Sequence, residues 1–259
     1  MRKFATVLLL NMGIMGCLSG AALGESAATA PNELTEAIAG IEAAANDQDV
    51  DAVLEYYSEE FENSDGLTTE TLSQALTQMW QDYPRLKYTT EIQSWTRSGD
   101  ELVAETVSTI RGIRNTAGRQ ARLKSTIRSR QYFQSQKLVR QEILTEQSRL
   151  TSGENPPKVE VVAPDTVTVG TKYNFDLIVD RPLEDQVLLG AVQEEKAAGN
   201  LYLNSASLEL EPLPAGGIYK VAIASAIPES KWLSAILVRG DGITMITHRV
   251  NVESEQIEQ

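Results

Sequence analysis

The hydrophobic period of this chain changes once, at Leu86, and that change limits what its first half can fold into. Before it, apolar residues recur at helical spacing. Leu34, Ile38, Ile41 and Ala45 fall at i, i+4, i+7 and i+11, with Asn32 as N-cap. Asp49 caps a second predicted helix carrying Val53, Leu54, Tyr57 and Phe61. Asp65 and Gly66 make a turn. Thr68 then caps a third helix, with Leu72, Leu76, Met79, Trp80 and Tyr83 as its stripe and Pro84 as its stop. After Leu86 the period is two. Leu86, Tyr88, Thr90 and Ile92 alternate with polar neighbours, as do Leu102, Ala104 and Thr106, then Leu123, Ser125 and Ile127, then Val139, Gln141 and Ile143. Three helices followed by about four long strands predict an α+β unit with the helices on one face of an antiparallel sheet.

Residues 151–157 (TSGENPP) are polar and end in a Pro pair, which favours extended backbone, so they read as a hinge. They separate a domain at 32–150 from one at 158–252. The second is strand-like throughout: Tyr173, Phe175, Leu177 and Val179 alternate with polar residues, and further apolar runs follow at 187–192, 201–203, 207–210, 219–223, 232–238 and 243–252. About seven short strands predict an all-β, Ig-like sandwich. Residues 253–259 form an acidic tail.

The N-terminus reads as a leader. Arg2 and Lys3 precede the uncharged stretch 4–24, and Ala22-Leu23-Gly24 places small residues before Glu25. This predicts a signal peptide over 1–24, followed by a small-residue linker at 25–31. Ile14-Met15-Gly16-Cys17 supports a second reading, a lipobox with Cys17 as the lipidation site. Both place the body of the protein outside the cytoplasm, in the periplasm or lipid-anchored to the cell envelope, with membrane contact only through the leader or a lipid. The chain has 1 Cys and 1 His, so an internal disulfide and a Cys/His zinc cage are excluded, and neither a metal nor a cofactor is expected.

Charge is segregated. Residues 32–84 hold 13 acidic residues and no basic ones, whereas 111–140 hold nine basic residues and no acidic ones. Arg122, Lys124, Arg128 and Arg130 share one strand parity, and Arg140 sits on the next strand. Two readings of this face stand: a solvated surface paired to Glu105, Glu142 and Glu146, or an interaction face for an acidic surface, either the chain's own second domain or the helices of a second copy. Nucleic acid is not expected as a partner, because the net charge is -13 and few aromatic residues interleave with the arginines.

There is no GxGxxG, Walker loop, HExxH or GxSxG. The run Asp51-Ala52-Val53-Leu54-Glu55-Tyr56-Tyr57-Ser58, then Phe61, Ser64-Asp65-Gly66 and a Thr-capped helix, resembles the NTF2-like superfamily in its SnoaL/ketosteroid-isomerase-like branch. The whole chain resembles exported cyanobacterial proteins of the nuclear transport factor 2 family with a C-terminal β-sandwich. The resemblance implies a cone of three helices on a curved sheet, a pocket between them, and a homodimer formed through the sheet. Strand parity puts Thr90, Ile92, Thr106, Ser108, Ser125, Ser129, Gln141, Ile143 and Thr145 on the inner wall, none of them ionisable. The ligand-pocket candidates are Tyr56, Tyr57, Trp80, Tyr88, Thr106, Ser108, Ser125, Ser129 and Gln141. A wall without charge favours binding over proton transfer, which needs a titratable group within reach. The expected function is therefore a non-catalytic one: binding a small apolar or amphipathic ligand, or a protein. The alternatives are an isomerase- or dehydratase-type enzyme using a pocket Tyr and Asp65, and an assembly module pairing through the Arg-rich face.

Overall fold

A computed structural model describes residues 24–116, 118–180, 187–202, 209–213 and 216–255. The leader up to residue 23 with Cys17, position 203 and positions 207–208 of two expected strands, and the last four residues lie outside them.

The chain enters through a short strand β1 (Glu25–Ser26) and reaches α1 (Asn32–Asn46), whose N-cap is Pro31, one residue before the predicted Asn32. α1 buries Leu34, Ala37 and Ile38 against Trp95, Ala104 and Phe133. Asp49 caps α2 (Val50–Leu54) by accepting the Ala52 N–H at 3.0 Å, but α2 ends after five residues. The chain then runs as a strand, β2 (Tyr57–Asn63). Thr68 and Thr71 form a reciprocal capping box at the start of α3 (Thr69–Asp82).

Four long strands follow: β3 (Arg85–Ser98), β4 (Glu101–Thr116), β5 (Arg119–Gln134) and β6 (Lys137–Gly153). The second half contributes β7 (Val159–Val162), β8 (Thr166–Thr168), β9 (Lys172–Val179), β10 (Leu189–Lys196), a 3-10 turn at Gly199–Tyr202, β11 (Glu211–Pro212), β12 (Gly217–Ile223), β13 (Glu229–Arg239) and β14 (Gly242–Glu253).

These strands correct the expected architecture. The chain is not an NTF2-like cone of three helices on a sheet followed by a separate Ig-like sandwich. It is mostly β, and one 11-stranded sheet runs through both halves in the order β1-β3-β4-β5-β6-β14-β13-β10-β11, with β2 beside β6 and β8 beside β14. The cause lies in β6, which is 17 residues long. Its first part pairs with β2, and its last part, Gln147 to Gly153, pairs with His248 to Gly242 of β14. Thr151, Ser152 and Gly153, expected in a hinge, are thus ladder residues. The second expected helix stops short for a related reason: β2 finds a partner in β6, and the Tyr56 carbonyl accepts the Leu138 N–H at 2.7 Å.

A second layer, the three-stranded sheet β12-β9-β7, covers the far end of the long sheet. Tyr173, Phe175, Leu177 and Ile218 from this layer meet Leu233, Leu237, Ile246 and Val250 of β13 and β14 in a common core. No helix among the described residues is long and apolar enough to cross a membrane.

Candidate functional site

A cavity of about 200 Å³ lies between the helices and the long sheet. The stripe of α1 that packs on the sheet supplies Ile38, Ile41, Ala45 and, on the same face, Glu42. α3 supplies Leu72 and Leu76, and the strands supply Ile110, Ile127 and Ile143. Tyr202, from the 3-10 turn of the second half, adds a wall.

The polar groups on the walls are largely paired with one another. Glu42 Oε2 accepts the Thr90 N–H at 2.6 Å, and the hydroxyls of Thr90 and Ser108 lie 2.9 Å apart. Asn63 donates to Gln141 Oε1 at 3.2 Å. Gln131 Oε1 differs: it is enclosed without a partner among the described residues. Burial pushes the Tyr57 hydroxyl up to about 12. It also raises Tyr88, where the hydrogen bond from Trp80 opposes the shift. These phenols are therefore neutral at pH 7. Among the described lining residues, Glu42 alone carries an acid and none carries a base.

Behind Tyr202 lies a buried ion cluster. Arg249 has no exposed surface, and the Asp65 side chain is 1% exposed. Arg249 donates to both oxygens of Asp65, at 2.9 and 2.5 Å, and to Glu146 Oε2 at 3.1 Å. Trp232 Nε1 also donates to Glu146 (2.8 Å), and the Tyr202 hydroxyl donates to Asp65 Oδ2 (2.7 Å). Burial opposes the Arg249 charge, but the hydrogen bond to Asp65 and the charge of Glu146 outweigh it and raise its pKa. Burial raises Tyr202, and the carboxylates of Glu146 and Asp65 raise it further. The backbone makes room for this contact. The Gly199 N–H donates to the Asp65 carbonyl at 2.7 Å, and a Cβ on Gly199 would lie 3.0 Å from the Gly66 carbonyl oxygen.

Of the pocket candidates, Tyr57, Tyr88, Ser108, Ser129 and Gln141 line the cavity. Trp80 stands behind Tyr88 and donates to its hydroxyl at 3.0 Å. Thr106 and Ser125 do not line the cavity: Thr106 pairs with Ser129 (3.1 Å) and Ser125 with Ser148 (2.7 Å). The Tyr56 ring occupies the space beside Gly40. Asp65 does not line the cavity, because Arg249 and Tyr202 take up its carboxylate. The expectation of a charge-free pocket is corrected by Glu42: strand parity speaks only for the sheet wall, and this acid comes from a helix. Its signal was present, since Glu42 is i+4 from Ile38 and i−3 from Ala45. Tyr202 and Arg249 carry no comparable local signal.

The basic residues lie away from the cavity. Arg128 and Arg130 bind Glu105 at 2.6 and 2.9 Å, Arg130 also reaches Glu142 at 3.3 Å, and Arg140 pairs with Glu142. Arg122 and Lys124 are exposed, without an ion-pair partner among the described residues.

Residues 154–253 match the model of a domain of unknown function, DUF8623. No curated protein matches the chain. Among solved structures, AclR, a putative hydroxylase from Streptomyces galilaeus, is 16% identical and covers 43% of this chain and 86% of its own, with a TM-score of 0.34. A SnoaL-like polyketide cyclase from Agrobacterium tumefaciens is 14% identical over 42% of this chain and 88% of its own, at 0.31. Bd1075 of Bdellovibrio bacteriovorus is 16% identical over 43% of this chain, which spans only 38% of that protein, at 0.31. Each of these matches covers less than half of this chain, and at such scores they carry no functional argument.

Proposed function

We propose that this chain is an exported, non-catalytic binding protein whose cavity takes up a small, mostly apolar molecule. The observation supporting this is the cavity itself: isoleucine and leucine walls, with several of the polar groups paired to a neighbour. A chamber of about 150 Å³ lined by apolar side chains holds benzene, so about 200 Å³ suits one substituted ring. The leader pattern supports export, and the likeness of residues 51–66 to SnoaL-like proteins agrees with a pocket binder. The arginine face is less favoured as a docking surface, because Arg128, Arg130 and Arg140 are satisfied within the sheet.

The test is titration with toluene and cyclohexanol, followed through the methyl resonances of Ile38, Ile41, Ile110, Ile127 and Ile143. These should shift in the native protein. They should stay still in Ala45→Phe, which fills the chamber. If no lining methyl responds, the reading falls. A second reading rests on Glu42, a carboxylate in the same chamber as the Tyr57 hydroxyl, which suits proton abstraction next to a carbonyl. Under it, the protein would exchange the α-protons of a small cyclic ketone in D2O, and Glu42→Gln would slow that exchange by about 10²–10⁴-fold.

A further inference from the structure

We infer that the cavity selects small organic amines, bound as ammonium ions against the Glu42 carboxylate. The inference rests on the binding reading above and adds the ligand's charge to it.

Three observations converge. First, the described lining holds one carboxylate and no lysine, arginine or histidine. Oε2 of Glu42 is held by the Thr90 N–H, and Oε1 has no hydrogen-bond partner among the described residues. A carboxylic acid ligand would meet repulsion with no cation to offset it, whereas an ammonium group would give Glu42 a charge-assisted partner. Second, Tyr57, Tyr88 and Tyr202 line the same chamber, and neutral aromatic faces attract cations. Third, the surroundings are acidic. The segment 32–84, which carries the three helices and β2, has 13 acids and no bases, though only Glu42 among them lines the cavity, and the cluster behind Tyr202 sets two carboxylates against one guanidinium. The net charge of -13 favours the approach of cations over anions, although nine bases at 111–140 lie on the strands of the sheet wall. The isoleucine walls then require an apolar body on the amine.

The experiment is calorimetric titration of the full chain at neutral pH with four probes of closely similar size: cyclohexylmethylamine, cyclohexylmethanol, methylcyclohexane and cyclohexanecarboxylate. The amine should bind about tenfold or more tightly than the alcohol, and the carboxylate should not bind. In Glu42→Gln, which keeps an acceptor for Thr90, amine and alcohol should bind alike. If the alcohol and hydrocarbon bind but the amine is no tighter, or if the carboxylate binds as well as the amine, the amine inference falls and the cavity reading stands. If none of the four binds, both fall. The comparison among probes on the native chain decides the matter even if Glu42→Gln does not fold.

Discussion

Arg249 is wholly buried, and a guanidinium there is tolerable only because Asp65 and Glu146 meet it within hydrogen-bonding distance. Taking ions out of water costs several kcal/mol each, so the cluster holds as a set and fails when one member leaves. Arg249→Met strands two carboxylates in the interior. We expect it to lower the unfolding free energy by about 3–5 kcal/mol, read from urea denaturation. A loss below about 1 kcal/mol, the scale of an exposed pair, would mean that the carboxylates rehydrate and that the cluster is not structural. The cluster also marks the limit of what single residues disclose. Tyr88, Ser108, Ser129 and Gln141 line the cavity on the strand faces that alternation assigns to the inner wall, whereas Tyr57 reaches it from a strand that was read as a helix. Thr106 and Ser125 have the same parity but do not line the cavity. Arg249 sits 184 positions from Asp65, in a row with Thr247 and Asn251 that alternation alone assigns to solvent.

Among the elements, β3 to β6 and α3 were readable because their patterns fit one period each. The segment after Asp49 was not. Val53, Tyr57 and Phe61 are spaced by four, and a spacing of four fits a helix turn and a strand face equally well. Pairing with β6 decided it, and pairing is a long-range fact. The outer face of β4, β5 and β6 supplies an element-scale prediction. There Glu105 bridges Arg128 and Arg130, and Glu142 bridges Arg130 and Arg140. Burial alone would raise the Glu105 pKa, but hydrogen bonds from Arg130 and Arg128 outweigh it and hold the carboxyl below its ordinary 4.5. A depressed folded pKa stabilises the protein above the unfolded value, and that contribution is lost as pH falls through the folded value. The arginines are 38–49% exposed, so the term is under about 1 kcal/mol. Between about pH 6 and about pH 3, the native protein should lose more stability than Glu105→Gln, and the difference should shrink with added salt. Equal losses in the two proteins would show that the ladder carries no net stability.

At the scale of the whole molecule, the two halves share too much to come apart separately. β6 belongs to both, pairing with β2 in the first half and β14 in the second. Arg249 and Trp232 from the second half hold Asp65 and Glu146 of the first, and Asn251 donates to the Leu144 carbonyl at 2.6 Å. Opening the second half would therefore expose an uncompensated ion cluster and a raw edge along β6. Each of these costs more than independent domains joined by a linker would face. We expect a single unfolding transition. Amide exchange in β3 and β4 should report the same opening free energy as exchange in β9 and β13, and circular dichroism should give the same denaturant midpoint. Because Tyr202 lines the cavity, a bound amine should raise both values together by mass action. Two separated midpoints, or stabilisation by ligand confined to the first half, would show that the continuous sheet does not couple the halves, and that the wall supplied by Tyr202 is incidental to binding.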